Sequence, residues 1–139
     1  MKIGHEPIVW NDSLMTGVQI IDEQHQILVN MINELNIRLT DKISPDDLQE
    51  IVRDLMSYAL YHFDTEEELM IDNAYGAEDR ETHFQQHRDF SAKVAALQQG
   101  LKQGQSVSRE ELLTFLNGWL VNHILKTDMR LGKFLASVS

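Results

Sequence analysis

Apolar side chains recur along this chain at helical spacing. Between about residues 18 and 40, Ile21, His25, Leu28, Ile32, Leu35 and Leu39 are separated by alternating steps of four and three. That is the seam of a helix packed nearly parallel or antiparallel to its neighbours. A second stripe, Leu48, Val52, Leu55, Ala59, His62, Glu66 and Leu69, predicts a helix over about 45–73. Ser44-Pro45-Asp46-Asp47 marks its start, with Ser as N-cap, Pro in the first turn and acids near the positive end of the dipole. Asn73 to Gly76 supplies its stop. A third helix over about 78–103 carries His83, His87, Phe90, Val94, Leu97 and Leu101 and ends near Gly104. A fourth, over about 108–136, opens with Ser108-Arg109-Glu110-Glu111, which fits a capping box. Its inward positions are Leu112, Leu116, Trp119, Leu120 and His123, then Leu131, Phe134 and Leu135.

Residues 1–17 lack a helical period and contain Pro7 and Gly17, which predicts an N-terminal arm. Trp10, and Val18 after it, are expected to pack against one end or side of the helices. Four long helices with short links predict an all-α, up-down-up-down four-helix bundle. The length of 139 residues fits a single domain over 1–139.

Composition narrows the function classes. There is no cysteine, so disulfides, zinc ribbons and iron–sulfur clusters are out, and a cytoplasmic location is expected. Met1 to Trp10 has one lysine and no long apolar run, so no signal peptide is expected. No segment has the length of a membrane span. The formal charge is −10 and Lys and Arg form no block, which argues against nucleic-acid binding. No protein partner is legible.

What the stripes do carry is chemistry. Five of the six histidines and two carboxylates form a spaced set: His25, His62 with Glu66, His83 with His87, and His123 with Asp128. A lone histidine on an apolar face is ordinarily a hydrogen-bonded core residue, but here the ionisable residues of three helices share the inward face. Glu66 weighs most. A buried carboxylate costs several kcal/mol unless paired or bound to metal, and no Lys or Arg shares its stripe. Histidine and carboxylate without cysteine favour iron or another borderline first-row metal. Seven ligands are too many for one ion and suit two. Five imidazoles, two bridging carboxylates and a bridging oxide or hydroxide fill two octahedral ions but for one position.

Residues i and i+4 stack on one helix face, so His62 with Glu66, and His83 with His87, reach the same region. His123 and Asp128 break the rule. Five residues rotate an α-helix about 140° beyond a full turn. Either a π-type turn realigns them or Asp128 reaches round from the side, and a local irregularity between the two is expected.

In this constellation the chain resembles hemerythrin, specifically the bacterial hemerythrin domains. The likeness runs from Trp10-Asn11-Asp12-Ser13 through Gly17-Val18 and Ile21-Asp22-Glu23-Gln24-His25, then through every ligand motif in order. Together His-x3-Glu, His-x3-His and His-x4-Asp are highly specific. The resemblance implies reversible O2 binding at two iron ions bridged by oxo or hydroxo, for oxygen storage, delivery or sensing and not for catalysis. By residue match, His83, His87 and His123 would hold one iron, and His25 and His62 the other, which keeps the open position. Glu66 and Asp128 would bridge. Trp119 and Leu120 match residues lining the family's O2 pocket, although plain core packing explains them as well. Asp22 reads as a helix-start acid ahead of a role behind the ligands, and His5 as a surface or packing residue. The alternatives are an O2- or redox-sensing input of a larger signalling protein, a di-iron redox enzyme, and a bundle with structural zinc. The enzyme reading is weakened because the Glu-x-x-His pair of ferritin-like catalysts is missing.

Overall fold

The computed structural model describes residues 8–38, 43–105 and 109–138, the Arg109 side chain excepted. His5, Leu39 and the expected cap Ser108 lie outside the described residues. Helix α1 spans Gln19–Arg38, α2 Pro45–Asp72, α3 Ala77–Lys102, α4 Arg109–Asn122 and α5 Met129–Val138. Between α4 and α5 the chain stays helical but widens into a π-helix over His123–Asp128. The fourth helix of the bundle is therefore α4, the π segment and α5 taken together. α2 packs on both α1 and α3, and α1 packs on α4, which closes a four-helix bundle.

Local chemistry sets the helix ends. The Ser44 hydroxyl accepts the Asp47 N–H at 3.0 Å, with Pro45 in the first turn, as the sequence predicts. α2 stops at Asp72 with Asn73 as its C-cap, where the Asn73 to Gly76 stretch begins. Its left-handed residue is Ala74, at φ 55°, and Gly76 is not the residue that turns the chain. Tyr75 N–H closes the turn on Met70 C=O at 2.9 Å, and tertiary burial of Tyr75 holds the conformation that alanine disfavours. At the end of α3, Gly104 (φ 81°) serves in the ordinary way.

The arm docks through named contacts. Ile8 exchanges two hydrogen bonds with the Asn33 side chain on α1, at 2.8 and 2.9 Å. Trp10 is half-buried against the main core, and Leu14, on a short 3-10 turn at Asp12–Leu14, is fully inside it. Asp22 acts as a helix-start acid with a wider duty. It accepts Thr16 N–H (2.7 Å), Thr16 O–H (2.8 Å) and Gly17 N–H (3.1 Å), pinning the arm to α1. Thr16 then lies against Gly132 on α5, where the missing side chain allows the close approach.

The buried apolar residues form two clusters. The larger includes Leu28, Ile32, Leu35, Val52, Leu55, Phe63, Phe90, Val94, Leu113, Leu116 and Ile124. The smaller comprises Ile21, Met70, Tyr75, Leu131 and Leu135. α1 and α2 contribute to both clusters, α4 to the larger and α5 to the smaller, while α3 adds Phe90, Val94 and Leu101 to the larger and packs the half-buried Phe84 against the smaller; a buried polar layer lies between the two.

Candidate metal centre

That layer is made of His25, His62, Glu66, His83, His87, His123 and Asp128, all buried. Each is the polar member of an otherwise apolar stripe: His25 between Ile21 and Leu28, Glu66 between Phe63 and Met70, Asp128 between Ile124 and Leu131. Helix phase alone aims the residues of α1, α2 and α3 inward. Asp128 needs the π turn. Met129 N–H bonds Ile124 C=O, five residues back, so the wider turn brings Asp128 under His123. The expected irregularity is present, in its π form.

All seven residues converge. Asp128 Oδ2 lies 2.8 Å from His25 Nε2, and Asp128 Oδ1 lies 3.1 Å from Nε2 of both His83 and His123. Glu66 Oε1 lies 3.1 Å from His87 Nε2, 3.4 Å from His62 Nε2 and 3.5 Å from His83 Nε2. Two ligand sets emerge, each with its candidate atoms within 4.8 Å of one another: Glu66, His83, His87, His123, and His25, His62, Glu66, Asp128. Glu66 belongs to both, and the two Asp128 oxygens point to histidines of both.

Of these contacts, His87 Nε2 to Glu66 Oε1 has hydrogen-bond geometry, but most do not. Nε2 of His25, His62 and His83, Glu66 Oε2 and both Asp128 oxygens are buried with no hydrogen-bond partner among the described residues. Nε2 of His87 and Nε2 of His123 face each other at 3.3 Å. Lone pairs packed tip to tip in a dry interior are unfavourable unless a cation sits among them. Among the described residues the ion pairs of the two carboxylates are all to imidazole, never to Lys or Arg. The donor set therefore fits metal.

The outer ring nitrogens explain why the inner ones are free. His62 Nδ1 donates to Gln24 Oε1 at 2.7 Å, and Gln24 Nε2 is spent on Thr65 Oγ1 at 3.1 Å, which fixes the amide's sense. His123 Nδ1 donates to Gln86 Oε1 at 2.8 Å, an oxygen that also accepts the Thr127 hydroxyl at 2.7 Å. His87 Nδ1 donates to the Glu67 carboxylate at 2.8 Å. A proton held on Nδ1 leaves Nε2 to coordinate. Gln24, Glu67 and Gln86 are not recognisable from the sequence pattern. Each is a polar residue next to a ligand on its own helix, but each serves a ligand of a neighbouring helix.

Electrostatics agree with a ligand cluster. Burial, then the neighbouring His25, lowers His62 to about 3, so its ring is neutral. Burial and His83 also push His87 down. Burial and the Asp128 charge raise Glu66 well above the carboxylate range. Burial pushes Asp128 up as well, but the charge of His123 outweighs it and holds Asp128 well below that range. Burial lowers His123, and Asp128 more than offsets it, so His123 ends raised. Asp128 and His123, 3.1 Å apart, thus favour each other's charged forms, a pairing with which a cation at the same ring nitrogen would compete.

Aromatic rings wall the centre on the main-core side. Phe63 stacks on His87 (4.0 Å, 11°) and Trp119 on His123 (4.4 Å, 13°). Leu120 is buried in the main core. An open cleft of about 420 Å³, lined by Gln86, Trp119, His123, Lys126, Thr127 and Arg130 among others, reaches the outer edge of His123. No helix among the described residues is long and apolar enough to cross a membrane.

The Hemerythrin HHE cation binding domain matches residues 16–135. A bacteriohemerythrin of Pseudomonas aeruginosa is 36% identical over 121 residues, covering 87% of this chain and 76% of that protein. A bacteriohemerythrin of Methylococcus capsulatus is 30% identical over 125 residues, covering 88% and 91%. A crystal structure of wild-type hemerythrin superposes with a TM-score of 0.83 at 27% identity, covering 93% of this chain and 98% of that one. Since the match embraces every helix that contributes to the buried cluster, the chain belongs to the hemerythrin family.

Proposed function

We propose that the chain binds O2 reversibly at a pair of iron ions bridged by oxo or hydroxo. His83, His87 and His123 would hold one iron, and His25 and His62 the other, with Glu66 and Asp128 spanning both. The observation that carries this reading is the pair of overlapping ligand sets sharing Glu66, with Asp128 addressing both. When bound, such a pair would supply two adjacent redox-active ions to which a diatomic ligand could bind.

The protein's part is to hold and protect. Outward Nδ1–H bonds to Gln24, Glu67 and Gln86 fix three of the five rings in the coordinating tautomer. Phe63 and Trp119, face-on against His87 and His123, restrict ring rotation. We read Trp119 and Leu120 as part of the apolar lining around the O2 position, where excluding water and anions slows oxidation of the metals. We read binding, and not turnover: Gln24, Gln86, Thr65 and Thr127 are amides and hydroxyls unsuited to acid–base work, and the one carboxylate among these outer partners, Glu67, is engaged with His87 Nδ1.

The test is anaerobic reconstitution with ferrous iron, an iron count per chain, and visible spectra through cycles of aeration and deoxygenation. Two irons per chain and an O2-dependent band that comes and goes are expected. A folded chain that takes up no iron overturns the reading. His62→Ala should lose the O2-dependent band while its helical circular dichroism persists.

A further inference from the structure

The five rings are not held alike. His62 and His123 donate Nδ1–H to neutral amide oxygens, and the Gln86 oxygen is further shared with Thr127. Nδ1 of His25 and of His83 have no hydrogen-bond partner among the described residues. Only His87 donates to a carboxylate, Glu67 Oε2, at 2.8 Å. Glu67 reaches it from α2 across the α2–α3 seam, while its neighbour Glu66 points into the centre. His87 is buried and clamped against Phe63, whereas the Glu67 side chain keeps 31% of its surface in solvent.

A carboxylate on the outer nitrogen is a stronger acceptor than an amide. It draws the Nδ1 proton toward itself, pushes electron density onto Nε2 and makes the ring a better donor to a cation. That extra density enters only one of the two ligand sets, the one containing His83, His87 and His123. From this geometry we infer that Glu67 is a positioning residue. Acting through His87, it tightens metal binding at the three-histidine position, favours the higher oxidation state there, and makes the two halves of the centre unequal. The inference rests on the two-metal reading above, but it does not depend on iron or on O2.

Cobalt(II) separates the two. Titrated into metal-free protein, it reports each site by its visible absorption and needs no redox step. In the wild type two affinities are expected. Glu67→Gln keeps the shape and removes the charge, and should weaken one of them by about 10–100-fold while the other stays put. Gln86→Glu adds a carboxylate behind His123 and should tighten the same site. In iron-loaded protein the reduction potential should rise in Glu67→Gln and fall in Gln86→Glu. Glu67→Asp, which keeps the charge, should recover most of the lost affinity.

Equal weakening of both cobalt sites in Glu67→Gln, or none, overturns the inference. So does a potential that moves the same way in Glu67→Gln and Gln86→Glu. If Glu67→Gln does not fold, Glu67→Asp decides: near-wild-type affinity upholds the charge argument, and failure alongside the amide variant overturns it. A wild type that takes up two cobalt ions but never forms an O2-responsive iron pair sinks the proposed function alone. One that takes up no cobalt sinks both.

Discussion

Replacing Gly132 with alanine tests how firmly the arm locks the C-terminal half of the fourth helix. A Cβ there would sit 2.6 Å from Thr16 C=O and 2.9 Å from Thr16 Cβ. Ordinary contact starts near 3.4 Å, so the backbones must part by roughly 0.8 Å. Two responses are available. The arm can lift away, but Thr16 and Gly17 are tied to the Asp22 carboxylate by three hydrogen bonds. At about 1.5–3 kcal/mol for each bond to a charged group, full release costs more than the clash. The alternative is a small shift of α5 against the arm, and overpacking of that kind costs about 1–3 kcal/mol. The shift wins, and alanine's advantage of about 0.5–1 kcal/mol over glycine inside a helix offsets part of it, so Gly132→Ala should lose a net of about 1–2 kcal/mol in urea denaturation with an unchanged m-value. Asp22→Asn weakens the tether and lets the arm yield. In that background Gly132→Ala should cost less than about 1 kcal/mol. Strict additivity of the two substitutions would refute the reasoning, as would a Gly132→Ala protein of wild-type stability. Because Gly132 lies one turn beyond Asp128, the same variant should also weaken cobalt binding.

Other outcomes follow from single features of the structure. Ala74→Gly relieves a left-handed alanine and should stabilise by about 0.5–1 kcal/mol, measured by thermal or urea unfolding. Gln86→Leu strands the buried Nδ1–H of His123 and the Thr127 hydroxyl, and should cost the metal-free protein about 1–3 kcal/mol. Metal-free protein should lose stability on acidification below the ordinary histidine range. With His62 lowered to about 3 in the fold, the unfolded chain binds the extra proton between there and about 6.5, so stability rises with pH across that window. Each such group contributes at most about 1.4 kcal/mol per pH unit, and His62→Gln should flatten the slope in urea titrations at stepped pH. Stripping metal from loaded protein should lower the unfolding temperature while the helical signal remains, because the bundle has two apolar clusters of its own.

The sequence by itself determined the helices, their inward faces and which ionisable residues those faces bring together. A period of three and four residues fixes which side chains share a face, and seven ionisable residues on those faces are expensive to bury for any reason but binding. It also located the one break in that logic. The five-residue offset from His123 to Asp128 could not be accommodated by a regular helix, and the structure supplies a π turn at that spot. What only the tertiary structure decided are the relations between helices. Gln24 sits beside His25 but serves His62; Glu67 sits beside Glu66 but serves His87; Gln86 sits beside His87 but serves His123. Hydrophobic periodicity specifies a face, not the rotation and height at which neighbouring helices meet, so no spacing rule predicts those pairs. The same is true of Ala74, which adopts a glycine-like conformation because Tyr75 is buried beyond it, and of Gly132, whose purpose is visible only once the arm is seen lying across it. Faces follow from the covalent period of one helix, whereas partners across a seam follow from how several helices pack together.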